Sequence, residues 1–252
     1  MILMAVFFFV LGAIVASFAG VVAGRLYTGE GFVSGRSRCD ACGEPLRARD
    51  LVPIFSWLVS RGRARCCGAR VSPLAPLSEL ALGALFALGY LKLGLGSALP
   101  FLLLAFALLL VLVLYDLAHQ ILPPPLLALF VLSSALVGYL LAPSLAAFGW
   151  SALVALSIGS SLALIHLLSR GRAMGFADAP FSFGLALLAG PAALPGFVFS
   201  FWIGAIIGII ILAGRPRGSR MGIEVPFAPF LAAGFLLAFF TSWNPFILVV
   251  LP

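Results

Sequence analysis

Charged side chains are scarce in this chain of 252 residues: 9% are Asp, Glu, Lys or Arg, whereas 63% are hydrophobic. So little polar surface cannot cover a water-soluble globule of this length, which excludes an ordinary soluble domain. The few charges are also unevenly placed, because 13 of the 23 lie within the first 70 positions. The composition therefore predicts a polytopic membrane protein with one small polar region near its N-terminus.

Two familiar catalytic patterns are missing as well. The sequence contains no HExxH zinc-protease motif, and its two histidines, His119 and His166, belong to no Ser-His-Asp set in a polar context. We interpret His166 as a buried or interfacial side chain with a local hydrogen bond. His119 is interpreted either as an idle interfacial residue or as a group that influences the protonation of Asp116, one turn away.

Apolar runs fill most of the chain, and about 20 residues suffice for a helix to cross a bilayer. They predict eight transmembrane helices, at residues 1–24, 74–91, 98–115, 124–141, 146–168, 181–194, 195–213 and 227–250. No basic residues precede the first run, so we expect a retained span, not a cleaved signal peptide. The predicted fold class is an all-α polytopic membrane protein embedded in a lipid bilayer.

The basic residues fall in the gaps between these runs, as the positive-inside rule requires. If the first loop is cytoplasmic, 14 of the 15 basic residues lie inside, including Arg215, Arg217 and Arg220, and only Lys92 lies outside. Topology thus accounts for the net charge of +7, and we expect no nucleic-acid partner. Both termini are expected to face outwards. The predicted domains are a first helix (1–24), a cytoplasmic cysteine-containing domain (25–73) and a membrane-embedded domain (74–252).

All four cysteines lie in the first polar loop. On the cytoplasmic side they are expected to stay reduced and to form no disulfides. Cys39 and Cys42 form a CxxC knuckle followed by Gly43, a spacing typical of zinc ligands. Cys66 and Cys67 are adjacent, and adjacent thiolates reach one tetrahedral ion with difficulty. The pattern leaves two alternatives: a structural zinc site that is strained or completed by another ligand, or reduced thiols without a metal.

Asp116 and Asp178 are the only aspartates after Asp50, and each stands where an apolar run meets a short polar loop. An ionised carboxylate near the membrane interior is costly, so it usually faces a partner or a water-filled cavity. If these two meet, one is expected to be ionised and the other protonated, which is the division of labour in an aspartic peptidase. The alternative is that each carboxylate simply ends a helix at the interface. The predicted topology places both at the cytoplasmic boundary.

Six sequence blocks occur in an order that covers nearly the whole chain. They are SFAGVVAGRL (17–26), DLVPIFSWLVSRGR (50–63), PLSEL (76–80), YDLAHQILP (115–123), GFAD (175–178) and VPFAPFLAAG (225–234). Together these blocks resemble the type IV prepilin peptidases. That family consists of membrane aspartic enzymes that trim the leader from prepilins and type II secretion pseudopilins.

The resemblance implies that Asp116 and Asp178 are catalytic, and that Gly175, Phe176 and Ala177 form the GxGD-type motif ahead of Asp178. It implies cleavage of prepilin or pseudopilin precursors after a glycine, at the cytoplasmic face of the bacterial inner membrane. Proteolysis would need no cofactor. Many members also methylate the new N-terminus with S-adenosylmethionine, an activity associated with the cysteine-containing loop, so the resemblance implies this second cofactor.

The sequence departs from the family pattern at several positions. Ala177 replaces the second glycine of GxGD, Pro180 replaces a lysine, and Gly20 replaces an asparagine. The methyl group of Ala177 is expected to limit close backbone approach. Glu79, in PLSEL, is expected near the first turn of the second span, where the helix dipole favours an anion. Its alternative role is proximity to the amine of the substrate.

Two functions from other classes remain as alternatives. A proton-coupled transporter would carry its acidic residues deep within the spans. A catalytically inactive assembly factor of a pilus or secretion machine would never trim a precursor. Substitution of either aspartate by asparagine separates the peptidase from these alternatives.

Overall fold

The computed structural model describes residues 1–28, 31, 37–39, 41–214 and 225–245. The predicted topology anchors Arg215, Arg217 and Arg220, and the expected end of the last span at Val250, lie outside these residues. Within the described ranges the regular structure is helical, apart from two isolated β-bridges, which confirms the all-α class. The chain forms two compact units, Met1–Leu99 and Pro100–Pro252.

The first unit contains two long helices with a polar region between them. Its elements are α1 (Ile2–Arg25), a 3-10 turn (Ala48–Asp50), α2 (Phe55–Val59) and α3 (Leu74–Leu93). Helices α1 and α3 pack against each other. The buried face of α1 consists mainly of small residues: Gly12, Ala13, Ala16, Ala19 and Ala23. Small side chains let apolar helices approach closely, so dispersion contacts hold the pair together even in lipid.

The second unit is a bundle of six helices among its described residues. They are α4 (Leu99–His119), α5 (Pro124–Leu141), α6 (Leu145–Ser169), α7 (Asp178–Ala189), α8 (Ala193–Ala213) and α9 (Ala228–Thr241). A 3-10 turn, Gly190–Ala192, joins α7 to α8. Proline at the start of α5 suits a first-turn position, because the missing N–H has no partner in a helix at that point.

Helix α7 is the most enclosed element of this bundle. Although it has only 12 residues, it packs against α5, α6, α8 and α9. Its side chains Phe181 and Leu185 are completely buried. The surrounding helices therefore fix the position of α7, and with it the position of its first residue, Asp178.

Six helical stretches of the described chain are long and apolar enough to cross a membrane. Helices α7 and α8 count as one such stretch, Asp178–Ala213, which is interrupted at Gly190, where φ is +57°. Helix α9 has 14 described residues, fewer than the roughly 20 that a span needs. Eight apolar helices thus occupy the predicted positions among the described residues, and six stretches reach the length of a span.

Candidate active site and candidate metal centre

Asp116 lies in the last turn of α4, yet its side chain is only 6% exposed. The backbone N–H of Ala228, the first residue of α9, donates a hydrogen bond to the Asp116 carboxylate. The Oδ2 atom of Asp116 is buried and has no hydrogen-bond partner among the described residues. A buried carboxylate oxygen without a partner is costly. This oxygen is therefore available to a proton or to a reacting group.

Asp178 is the first residue of α7, and its side chain is 9% exposed. The N–H of Gly175 donates to the Asp178 carboxylate, and the N–H of Asp178 donates to the Gly175 carbonyl over 3.3 Å. Ala177, between them, has φ −65° and ψ −20°. Alanine adopts this ordinary right-handed helical conformation without strain. The expected limit on close backbone approach at Ala177 remains a prediction. Pro180 sits in the first turn of α7, where proline is tolerated.

The two aspartates, 62 residues apart in sequence, lie close enough for the charge of Asp116 to act on Asp178. Three helix ends bring them together: the C-terminal end of α4 and the N-terminal ends of α7 and α9. The N-terminus of a helix carries unpaired N–H groups and a partial positive charge. Two of these ends therefore favour negative charge at the pair. The two buried carboxyl groups therefore interact electrostatically.

His166, near the end of α6, forms a hydrogen bond to the loop that carries Gly175. The Nδ1 atom of His166 lies 2.9 Å from the Met174 carbonyl oxygen, and because a carbonyl only accepts, Nδ1 carries the proton. The ring of Phe176 packs edge-on against the His166 ring, with 5.6 Å between centroids. The N–H of Ala173 donates to the Ser169 hydroxyl over 3.2 Å. The local hydrogen bond expected of His166 is confirmed, and it holds the residues directly ahead of Asp178.

Helix α6 also approaches the backbone next to Asp178 at Gly159. A Cβ atom at this glycine would lie 3.2 Å from the carbonyl oxygen of Ala179 and 3.2 Å from the Cβ of Phe183. Both distances are tighter than ordinary van der Waals contacts. Glycine at position 159 therefore allows α6 to support the start of α7 directly.

Two other singled-out residues occupy positions that the sequence only partly anticipated. His119 is exposed, and its ring packs on Tyr115 with 4.4 Å between centroids. Glu79 lies at the start of the second turn of α3, adjacent to the first turn near which it was expected. Its buried carboxylate accepts a 2.6 Å hydrogen bond from the N–H of Ile54, a residue with φ +61°. Its suggested proximity to substrate remains a prediction.

The four cysteines form one cluster, with all their sulfur atoms within 4.8 Å of one another. The Sγ atoms of Cys39 and Cys67 are 3.7 Å apart, and those of Cys42 and Cys66 are 3.4 Å apart. Four sulfurs around a tetrahedral Zn²⁺, at about 2.3 Å from the ion, lie about 3.8 Å from each other. The donor set therefore fits a structural zinc ion. The expected difficulty with adjacent Cys66 and Cys67 does not arise, since both sulfur atoms reach the cluster.

The backbone explains how adjacent cysteines contribute two ligands. The cluster is built from two short loops of the same length, here called knuckles. The first is closed by the β-bridge Arg38–Pro45 and the second by the β-bridge Arg63–Arg70. In the first, the N–H of Cys39 donates to the Glu44 carbonyl over 2.9 Å; in the second, the N–H of Ala64 donates to Ala69 over 2.8 Å. Ala64 therefore occupies the position of Cys39, and Cys67 that of Cys42. The second knuckle lacks a cysteine at its first ligand position and carries Cys66 two residues later.

The thiols of the cluster differ in acidity. The backbone N–H groups of Ala41 and Cys42 lower the pKa of Cys39 to about 7, because they stabilise its thiolate. The neighbouring thiols of Cys42 and Cys39 raise the pKa of Cys66 to about 12. A metal ion at this cluster would displace the proton of Cys66, since only thiolates act as ligands.

Sequence reasoning missed two contributors to the aspartate site, the amide of Ala228 and the close approach at Gly159. It predicted a local hydrogen bond for His166 but did not connect that residue with the aspartate site. Ala228 acts through its backbone, and Gly159 through the absence of a side chain. The residue type at these two positions therefore does not predict either contact. Fold and site together define a helical multi-pass membrane protein with a buried aspartate pair and a four-cysteine cluster.

Comparison with known proteins agrees with this class. The family model described as the bacterial peptidase A24 N-terminal domain matches residues 10–93. The prepilin leader peptidase/N-methyltransferase of Bacillus subtilis is 31% identical over 239 residues, which cover 92% of each chain. The protein of the same name from Klebsiella pneumoniae is 37% identical over 205 residues, covering 75% of this chain and 86% of that relative.

A third relative of that name, from Stutzerimonas stutzeri, is 34% identical over 202 residues, covering 78% of this chain and 68% of the relative. No solved structure matches the chain. The similarity extends across most of the sequence and includes both units. The chain belongs to the prepilin leader peptidase/N-methyltransferase family.

Proposed function

We propose that this protein is an aspartic endopeptidase that removes the leader from prepilin or pseudopilin precursors. The observation that carries the proposal is the pair of buried carboxyl groups, Asp116 and Asp178, at the meeting point of three helix ends. The names of the relatives support prepilin precursors as the substrate class. A proton-coupled transporter is less well supported, because both acids lie at helix ends.

In the proposed mechanism one carboxyl group is ionised and the other is protonated. The ionised group takes a proton from water, whose oxygen then attacks the scissile carbonyl carbon. The protonated group gives its proton to the carbonyl oxygen, and a neutral tetrahedral diol forms. As the diol collapses, the C–N bond breaks, the first carboxyl group protonates the leaving nitrogen, and the diol returns a proton to the second. The unpartnered Oδ2 of Asp116 is a suitable site for one of these transfers.

The proposed site lies at the cytoplasmic boundary of the bacterial inner membrane. Asp116 is in the last turn of one candidate span, and Asp178 is the first residue of another. This placement suits a precursor that is cut where its polar leader meets its apolar helix. The peptide bond can then reach the carboxyl groups from the polar side of the membrane, while the apolar helix stays in lipid.

Isosteric substitution tests the mechanism. We expect Asp116→Asn and Asp178→Asn each to lower precursor cleavage by about a thousandfold or more, the scale seen when one member of a concerted catalytic set is removed. Asp50→Asn is the matched control, since Asp50 belongs to the other unit, where it forms a partly exposed ion pair with Arg65 and accepts the N–H of Arg47. The readout is mass spectrometry of a co-expressed precursor. Cleavage at wild-type rate in either test variant would overturn the aspartic mechanism.

The relatives also carry N-methyltransferase in their names. We extend this second activity to the chain as a proposal, with S-adenosylmethionine as the methyl donor. The same mass spectrum tests it, because the trimmed product gains one methyl group. Trimmed product that never carries the methyl group, with the donor supplied in excess, would remove this part of the proposal and leave the peptidase intact.

A further inference from the structure

Five large apolar side chains are exposed in a short segment of the cysteine-containing region, residues 51–59. Their exposed fractions run from 43% to 64%, and they belong to Leu51, Val52, Phe55, Leu58 and Val59. The last three lie on α2 with the spacing of three and four that places side chains on one side of a helix. We call these five residues the α2 apolar face. A cluster of exposed apolar side chains marks a surface that contacts a membrane or a partner.

The opposite side of α2 packs within its own unit through Trp57. The indole N–H donates to the Val71 carbonyl over 3.3 Å, and a Cβ atom at Gly62 would lie 3.0 Å from the indole ring. Gly62 and Val71 flank the second knuckle, and the N–H of Val71 donates to the Gly62 carbonyl over 2.8 Å. Trp57 therefore connects α2 to the knuckle that carries Cys66 and Cys67.

A hydrogen bond sets α2 at the level of a candidate membrane span. Ile54, the residue before α2, donates its N–H to the Glu79 carboxylate over 2.6 Å. Glu79 lies five residues after Leu74, where the candidate span α3 begins, or about 7.5 Å along the helix. The headgroup layer of a bilayer is about 5–8 Å thick on each side. The start of α2 therefore lies at the level of the headgroups or the outer acyl chains, where exposed side chains border lipid.

The backbone turn at Ile54 fixes this placement. Ile54 has φ +61° and ψ −52°, and the N–H of Phe55 donates to the Pro53 carbonyl, which together define the rare, strained form of γ-turn. A β-branched residue keeps such a conformation only when its surroundings hold it. The hydrogen bond to the Glu79 carboxylate is of the stronger, charge-assisted kind. The turn therefore starts α2 directly beside α3.

Arginines precede and follow the segment that carries the α2 apolar face. Residues 41–73 contain two acidic residues, Glu44 and Asp50, and six exposed arginines: Arg47, Arg49, Arg61, Arg63, Arg65 and Arg70. Apolar side chains flanked by cationic ones are typical of segments that bind the surface of anionic membranes. The excess of positive charge therefore favours a lipid surface, not an apolar protein helix, as the occupant of this face.

We propose that the α2 apolar face inserts into the interface of the membrane that α3 crosses, while the flanking arginines bind anionic headgroups. Because Trp57 connects α2 to the second knuckle, this anchor holds the cysteine cluster against the membrane surface. The anchor uses no residue of the aspartate pair, so it does not depend on the proposed peptidase chemistry.

Quenching by brominated lipids measures the depth of α2 in the full-length protein. A fluorescent amino acid is placed at position 58, or at position 44 as the control, because Glu44 is an exposed residue of the first knuckle. The proteins are reconstituted in nanodiscs of anionic lipid brominated near the headgroup. We expect quenching at position 58 to be about twofold stronger than at position 44, or more. Equal quenching at the two positions would overturn the proposal. Absence of quenching at position 58 would do the same and would assign this face to a protein partner.

The lipid composition tests the role of the arginines. With the fluorescent residue at position 58, quenching should rise when phosphatidylglycerol replaces phosphatidylcholine in the nanodisc. Arg61→Gln combined with Arg63→Gln should remove most of this rise, since each arginine near an anionic surface strengthens binding roughly fivefold. Arg38→Gln is the control, because Arg38 is an exposed arginine of the first knuckle. The same rise in the double variant as in the control would contradict headgroup binding.

Discussion

Gly43 and Gly68 occupy the same place in two successive knuckles, each with a positive φ, +74° and +72°. Each donates its N–H over 2.8 Å to the carbonyl four residues earlier, which belongs to Cys39 in the first knuckle and to Ala64 in the second. The match extends to the bridges that close both loops. The second knuckle therefore has the backbone form of the first, but its sulfur atoms come from Cys66 and Cys67, and residue 64 is alanine.

Because Ala64 is equivalent to Cys39, a cysteine at position 64 is predicted to replace Cys66 as a zinc ligand. Cys66→Ala should weaken zinc binding on the order of 100-fold, since loss of a direct ligand exceeds the effect of losing an outer-shell partner. Adding Ala64→Cys to that variant should restore binding, because the new thiol takes the position that Cys39 holds in the first knuckle. Zinc content and a competition titration with a chromogenic chelator give the measurement. A matched control is Cys66→Ala with Ala69→Cys, which should stay weak; restoration there would contradict the equivalence.

Gly159 is predicted to set the position of α7. Gly159→Ala places a methyl group 3.2 Å from the Ala179 carbonyl oxygen, so α7 must shift by a few tenths of an ångström. We expect kcat to fall about tenfold, since small displacements of catalytic groups are costly, and the free energy of unfolding to fall by about 1–3 kcal/mol.

Gly149 provides the control for this change on the same helix. A Cβ atom at Gly149 meets nothing within 4 Å, so Gly149→Ala should leave kcat unchanged and add slightly to helix stability. Kinetics and thermal unfolding in the same detergent compare the two variants. Equal kcat values and equal unfolding temperatures of Gly159→Ala and Gly149→Ala would show that the contact with Ala179 does not set the position of α7.

His166 is predicted to order the loop ahead of Asp178. His166→Phe keeps an aromatic ring against Phe176 but loses the hydrogen bond to the Met174 carbonyl. A hydrogen bond of this kind contributes about 1 kcal/mol, so the loop should open about five times more often. Trypsin should then cut faster after the exposed Arg170 and Arg172.

The other histidine supplies the comparison for this experiment. His119→Phe makes the same chemical change at a residue that packs on Tyr115, outside the loop. It should leave the rate of trypsin cleavage after Arg170 and Arg172 unchanged. If His166→Phe is cut no faster than wild type, His166 does not hold the loop.

Metal removal is predicted to spare the cleavage step. In the proposed mechanism carboxyl groups of residues 100–252 activate the water, whereas the cysteine cluster belongs to residues 1–99. Chelation should therefore change the cleavage rate by less than about twofold, because no metal takes part in the proton transfers. It should, however, make the loop more sensitive to trypsin at Arg61, Arg63 and Arg65. Loss of cleavage while the loop stays resistant would count against the aspartic mechanism.

Sequence alone determined the features that depend on composition and local spacing. The apolar runs predicted the positions of eight helices, because a helix that crosses the bilayer must be apolar along most of its length. Asp116 and Asp178 stood out because ionisable residues are rare in such runs. The CxxC spacing of Cys39 and Cys42 signalled a knuckle, since its two ligands come from one tight turn.

Only the tertiary structure decided the relations between distant segments. No sequence spacing shows that Ala64 corresponds to Cys39, since the two knuckles match in backbone hydrogen bonds and differ in side chains. Nor does residue type reveal that the amide of Ala228 binds Asp116. Backbone amides occur throughout the chain, and every glycine lacks a Cβ atom. The sequence therefore does not show which amide, or which glycine such as Gly159, makes a decisive contact. Their effect arises only when packing brings one helix end or one bare backbone against another.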